Sequence, residues 1–93
     1  MNEIENFIYN FRKFGRDIER CFMEGNCYYF FEILKTKFPE TIPYYSSKYS
    51  HVVSRIGDNY YDIRGKLSQK TVKDLELVFY QNISSKIKKE IEH

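Results

Sequence analysis

The apolar residues of this chain change their spacing twice, and that change limits the folds open to it. Ile4, Phe7, Ile8, Phe11, Phe14, Ile18 and Phe22 recur every three or four positions, which stacks side chains on one face of a helix. Near Ile42 the helical period gives way to short β-branched and aromatic runs broken by turn residues, and near Ser68 helical spacing returns. Helix, then strands, then helix predicts an α+β domain with a small antiparallel sheet from the Tyr44, Val52 and Tyr61 regions, flanked by N- and C-terminal helices. Ninety-three residues support one core, so 1–93 reads as a single domain.

The first period predicts a long amphipathic helix from Asn2 to about Met23 despite Gly15 in its middle, with Glu3, Arg12, Lys13, Arg16, Asp17 and Glu19 on the solvated face. Glu24-Gly25-Asn26 breaks it: Gly25 suits a left-handed C-terminal position and Asn26 a helix cap. A second helix follows from about Cys27 to Phe38, burying Cys27, Phe30, Phe31, Leu34 and Phe38, until Pro39 stops it. Ile42-Pro43-Tyr44-Tyr45 reads as a strand, Pro43 indicating an edge or a strand start. After the polar loop Ser46 to Ser50, His51 to Ile56 and Tyr60 to Arg64 form a hairpin around Gly57-Asp58-Asn59, and Gly65 ends it. Ser68 caps a third helix expected to run through Val72, Leu75, Val78 and Phe79, with a bend at Gln81-Asn82. Ile83, Ile87 and Ile91 mark a last, narrow-faced helix, a lid on the core or a partner surface. Phe7, Phe11, Phe31, Leu34, Ile56 and Ile63 are expected in the core.

Composition excludes several classes of function. Nine Tyr and eight Phe, 18% aromatic in all, provide a core without metals or disulfides. A formal charge of +2 falls short of the basic stripe that phosphate-backbone binding requires. A nucleic-acid module resting on Lys86, Lys88 and Lys89 therefore ranks last. Glu3 and Glu5 stand where a secretory signal carries positive charge, and no apolar run approaches the ~18 residues of a membrane span. The chain thus reads as cytoplasmic with no membrane partner. In that compartment Cys21 and Cys27 are expected as free thiols, and Asn82-Ile83-Ser84 is a sequon without meaning. Two Cys without clustered His supply no zinc site, and no metal or cofactor is expected. His93 is terminal and expected to be disordered.

Cys27, His51 and Asp62 form the candidate catalytic set. A thiol is a useful nucleophile only as its anion, so it needs a helix start or an imidazole to hold it ionised, and the imidazole needs a carboxylate to orient it. Cys27 opens a predicted helix, His51 opens a strand and Asp62 lies on the next strand. Each residue also has a plainer reading. Cys27 would be a small buried hydrophobe, His51 a histidine bonded to backbone, and Asp62 the partner of Arg55 or Arg64 in a surface ion pair of ~0 to 1 kcal/mol. Hairpin register separates the two. A two-residue loop, either Gly57-Asp58 or Asp58-Asn59, puts His51 and Asp62 on one face, whereas a three-residue loop puts them on opposite faces.

Gly25-Asn26-Cys27-Tyr28-Tyr29-Phe30, then His51-Val52-Val53, then Gly57-Asp58-Asn59-Tyr60-Tyr61-Asp62 resembles the core of papain-like cysteine enzymes, especially the transglutaminase-like and NlpC/P60-like branches. The resemblance covers about residues 25–65. It implies a minimal papain-like core with Cys27 as nucleophile, His51 as general base and then acid, and Asp62 as the orienting residue. The chain departs from that pattern in having no Trp after Cys27 and no upstream Gln, which leaves backbone N–H groups at Cys27 for an oxyanion. The expected function is a thiol-dependent hydrolase or acyltransferase acting on a protein or peptide substrate. The alternative is a non-catalytic protein-binding protein, such as a phage- or mobile-element-encoded inhibitor of a host enzyme. In that case the strand-region tyrosines Tyr44, Tyr45, Tyr49, Tyr60 and Tyr61 would be the contact surface wherever they are exposed.

Overall fold

In the computed structural model, which describes residues 2–92, a capping box starts the chain. Asn2 Oδ1 accepts from the Glu5 N–H at 2.7 Å while Glu5 Oε1 accepts from the Asn2 N–H at 3.4 Å. Met1 and His93 lie outside the described residues.

The expected single helix to Met23 is in fact two, α1 (Glu3–Arg12) and α2 (Ile18–Met23). A straight helix of that length would run roughly 30 Å, nearly the whole 33 Å long dimension of the molecule, and would leave the short dimensions uncovered. Glycine inside a helix costs about 1 kcal/mol relative to alanine. Breaking around Gly15 lets Phe7 and Phe11 of α1 and Ile18 and Phe22 of α2 turn onto one cluster. The break also moves Phe14, which the periodicity assigned to the apolar face, into solvent at 83% exposure.

Helix α3 (Cys27–Lys37) buries Cys27, Phe30, Phe31 and Leu34, as its spacing predicts. It packs on a five-stranded antiparallel sheet of β1 (Ile42–Ser46), β2 (His51–Ile56), β3 (Asn59–Asp62), β4 (Gly65–Lys66) and β5 (Val78–Phe79) in the order β4-β3-β2-β1-β5. Pro43 takes a strand-start position, beyond the reach of β5, which pairs with Tyr44 and Tyr45. The sheet is covered on both faces. Ile56, Tyr61 and Ile63 join Ile8, Phe30, Leu34 and Phe38 in one cluster, and Tyr45 and Val52 join Cys27, Phe31 and Tyr80 in a second. Val53 instead meets Leu67 and Leu75 on the opposite side. Successive β2 side chains point to opposite faces, which explains why the strand is buried almost throughout.

Helix α4 (Gln69–Leu75) begins at the Ser68 cap, whose Oγ accepts from the Thr71 N–H at 3.1 Å. It stops earlier than the periodicity suggests. Glu76 takes a left-handed conformation with φ +52°, and Val78 and Phe79 leave the helix to pair with β1 as β5. A 3₁₀ turn at Tyr80–Asn82 provides the bend expected at Gln81-Asn82. Ile83, together with Ile87 and Ile91 of α5 (Ser85–Ile91), packs on the Cys27 cluster, so this segment is the lid on the core.

Of the six expected core residues, Phe31, Leu34, Ile56 and Ile63 are buried, while Phe7 and Phe11 are half-buried at the rim because the broken helix only covers the cluster. Leu34, at 0% exposure between α1 and the sheet, is the most direct test of this packing. Leu34→Ala is expected to lower unfolding free energy by about 2–5 kcal/mol in denaturant titration, and a change within error would remove Leu34 from the core.

Candidate active site

The turn between β2 and β3 decides whether His51 and Asp62 can meet. Pairing of Ile56 with Asn59, Arg55 with Tyr60 and Ser54 with Tyr61 leaves Gly57-Asp58 as a two-residue loop. Gly57 has φ +64°, and Asp58 is not among the positive-φ residues. Glycine at the first central position with positive φ is what a type II′ hairpin turn requires. This register sets Asp62 opposite Val53, one step from His51 and on the same face. His51 Nε2 lies 3.0 Å from Asp62 Oδ2 with both side chains buried, His51 at 4% and Asp62 at 2% exposure.

Cys27 reaches the same point from α3. In a two-residue hairpin the residues flanking the loop form a hydrogen-bonded pair and such pairs alternate, so in this register Val52 would next bond to Ile63. The chain instead leaves the ladder after Asp62, and the Val52 N–H donates to Cys27 Sγ at 3.3 Å. The thiol therefore occupies the gap where β3 peels away from β2, beside the His51 ring. Burial works against the Cys27 anion, but interaction with the His51 side chain and the Val52 N–H outweighs it and lowers the thiol pKa. Burial likewise opposes a charged imidazole, yet Asp62 and Cys27 push His51 up to about 9. With Nε2 on the carboxylate, Nδ1 is the ring nitrogen left to exchange a proton with sulfur.

Asp62 has a second partner. The Arg64 guanidinium donates from Nη2 to Oδ2 at 2.7 Å and from Nε to both oxygens, and the Arg64 N–H donates to Oδ1 at 2.8 Å. Burial raises the carboxyl pKa, but His51 and Arg64 together lower it below the ordinary value. The two readings weighed for Asp62 thus coexist: it orients His51 and pairs with Arg64, while Arg55 turns to Gly57 O and the Tyr44 hydroxyl. Sequence reasoning treated Arg64 only as a competitor. The signal for its place in the site is Asp62-Ile63-Arg64-Gly65, an Asp whose side chain bonds the backbone two residues on before a glycine at φ +111°.

Asn26 does not act as the expected cap. Its Nδ2 donates to Cys21 O at 3.1 Å and the Asn26 side chain makes no capping bond to the start of α3, so the first-turn N–H groups after Cys27 lack the expected Asn26 acceptor, while the Cys27 N–H itself supports the thiolate. Cys21 and Cys27 are both free thiols, Cys21 exposed and Cys27 buried. Among the described residues no group of three His, Cys, Asp or Glu side chains is placed to hold a metal ion, and no helix is long and apolar enough to cross a membrane. Of the strand-region tyrosines, Tyr45 and Tyr61 are core, Tyr44 and Tyr60 are half-buried, and Tyr49 is exposed.

Residues 4–92 match the model of a family described as phage YunG-like protein. No curated protein and no solved structure matches the chain.

The coupled titration has a measurable signature. A histidine raised from 6.5 to about 9 stabilises the fold fully below 6.5 and loses that contribution as pH rises toward 9. A thiol whose pKa is lowered from 9.0 contributes in the opposite sense, because the folded protein has already released its proton. In the wild type the two slopes oppose each other. In Cys27→Ala the histidine acts alone, so unfolding free energy is expected to fall with pH from 6.5 upward, more steeply than in the wild type and by at most about 1.4 kcal/mol per pH unit. The fall ends before 9, since Cys27 no longer supports the imidazolium. At low pH both proteins lose the Asp62 contribution as its lowered carboxyl takes a proton. Parallel stability curves for the two proteins above pH 6.5 would show that Cys27 and His51 do not share a proton.

Proposed function

The chain belongs to the phage YunG-like protein family, and from the geometry of its site we propose that it is a thiol-dependent hydrolase or acyltransferase of amide or thioester substrates, using Cys27, His51 and Asp62. One observation carries the reading: a buried His51–Asp62 contact of 3.0 Å stands beside a free thiol whose pKa is lowered. A structural core histidine needs one acceptor; it does not need a cysteine on its other side. The order of helix-start Cys, strand-start His and neighbouring-strand Asp supports the resemblance to papain-like cysteine enzymes.

In this mechanism the Cys27 thiolate attacks the substrate carbonyl carbon, forming a C–S bond and moving an electron pair onto oxygen. N–H groups of the first turn of α3, which Asn26 does not cap, are the donors available to that oxyanion. His51 gives its proton to the leaving nitrogen or sulfur as that bond breaks, which yields an acyl-enzyme. His51 then takes a proton from water or an acceptor amine, whose attack releases the acyl group and returns sulfur as the leaving group. Asp62 keeps Nε2 occupied throughout, so that Nδ1 faces the chemistry.

The family description ties the chain to phage and names no reaction, and this favours a second reading: a phage-encoded protein that binds a host protein without catalysis. Burial of four of the five strand-region tyrosines, wholly or by half, removes most of the contact surface that reading had drawn on.

The two diverge in a labelling experiment. At pH 6, iodoacetamide is expected to modify Cys27 at least about tenfold faster than the more exposed Cys21, with the advantage lost in His51→Ala. Faster labelling of Cys21, unchanged by His51→Ala, would discard the thiol enzyme. Cys27→Ala is expected to keep the fold and abolish acyl transfer; if the protein's effect on its host survives that substitution, the binding reading holds.

A further inference from the structure

A cleft of about 760 Å³ opens on the α4 side of the sheet, with His51 at its inner wall and Met23 and Leu75 supplying apolar lining. Its charges are unequally committed. Asp74, the acidic residue in the lining, has both oxygens engaged: Oδ1 lies 3.0 Å from Lys48 Nζ, and Oδ2 accepts from the Tyr49 hydroxyl at 2.7 Å. Lys70, also in the lining, forms no ion pair among the described residues. Arg64 gives Nε and Nη2 to Asp62, while its Nη1 makes no hydrogen bond among the described residues and its side chain is 41% exposed. Glu19, whose charge also acts on Arg64, is paired with Arg12 at 3.4 Å, so the charge still free to meet a ligand is cationic and comes from Arg64 after β3 and Lys70 of α4.

We propose that this cleft binds an acidic peptide segment, with a carboxylate held between Lys70 Nζ and the open edge of the Arg64 guanidinium and the adjoining chain lying against Met23 and Leu75. The proposal rests on the thiol-enzyme reading only in making that peptide a substrate. A carboxylate held there would lie in the cleft that His51 lines, so on the thiol-enzyme reading the guanidinium that steadies Asp62 would also select the residue next to the scissile bond. Arg64 suits both tasks because its planar fork presents donors along two edges. A lysine at that position would have a single point charge to divide between them.

The test uses the Cys27→Ala protein, so that no turnover competes with binding, titrated by heteronuclear NMR with a blocked triglutamate peptide and with blocked triglutamine and trilysine peptides. Triglutamate is expected to bind at least about tenfold tighter than either control, to shift the Lys70, Thr71 and Arg64 amides, and to weaken as salt is added. Lys70→Gln, an exposed substitution on α4, is expected to reduce that affinity about tenfold without altering the spectrum elsewhere. Equal binding of triglutamine or trilysine, triglutamate shifts confined to another surface, or no shift at millimolar peptide would each overturn the acidic-ligand site. Failure of the thiol-enzyme reading shows separately in the alkylation of the wild-type protein. Acidic-peptide binding beside an unreactive Cys27 would keep the site and make it a docking cleft, whereas a reactive Cys27 with no acidic preference would reject the substrate class alone.

Discussion

A carboxylate at 2% exposure is the interaction on which the rest of this site depends. An ionised Asp removed from water is tolerable only when its lone pairs are filled by charged or well-aligned donors. Asp62 meets that demand with the Arg64 guanidinium, the Arg64 N–H and His51. Each donor is held by a different piece of local geometry: the II′ turn at Gly57-Asp58 sets the His51 register, and the tight turn into Gly65 brings Arg64 back over the carboxylate. Losing either partner would leave a buried charge half-satisfied, which is far more destabilising than losing a surface ion pair.

Departure of β3 from β2 after Asp62 has the larger structural consequence. A continued ladder would seal the Val52 N–H against Ile63 and close the sheet at that point. Because the chain turns away, Ile63 enters the cluster beneath α1 and the vacant donor is taken by a sulfur at the start of α3. Helix and sheet are thereby joined through the candidate nucleophile itself. Ser50, at φ +51°, closes the β1–β2 turn immediately before His51. Such conformations in non-glycine residues are held only where the surroundings compel them, and they concentrate at functional sites.

The family to which the chain belongs associates it with phage without naming any chemistry, so function has to be argued from the site rather than from the fold. A phage binding protein needs a stable small domain and an exposed surface. It does not need a lowered thiol, a raised imidazole and a buried carboxylate in one line, since burying charged groups seldom adds net stability over an apolar core. That asymmetry is the physical argument behind the proposal of chemistry at Cys27. Packing of Ile83, Ile87 and Ile91 over the cluster that contains the thiol then fixes the geometry of approach, because reagents must reach a residue only 7% exposed.

Much of the architecture is legible in the sequence. Helical spacing located the apolar faces of α1 and α3, Gly25 and Pro39 marked the ends around α3, and Gly57-Asp58 announced the hairpin; these are local preferences carried by a few neighbouring residues. The order Cys27, His51, Asp62 was legible as well, though not whether the hairpin loop held two residues or three. Tertiary packing decided what local rules could not. Gly15 became a break because two short helices cover the core better than one long one, and Val78 and Phe79 became a strand because Tyr44 and Tyr45 offered a free edge. Asn26 gave up its capping role to the Cys21 carbonyl. Convergence of sulfur, imidazole and carboxylate needed all of these at once, since Cys27 comes from a helix on one face of the sheet while His51 and Asp62 point from the other. They meet only where the ladder opens, and an opening between strands is a property of how the sheet packs that no single segment of the sequence encodes.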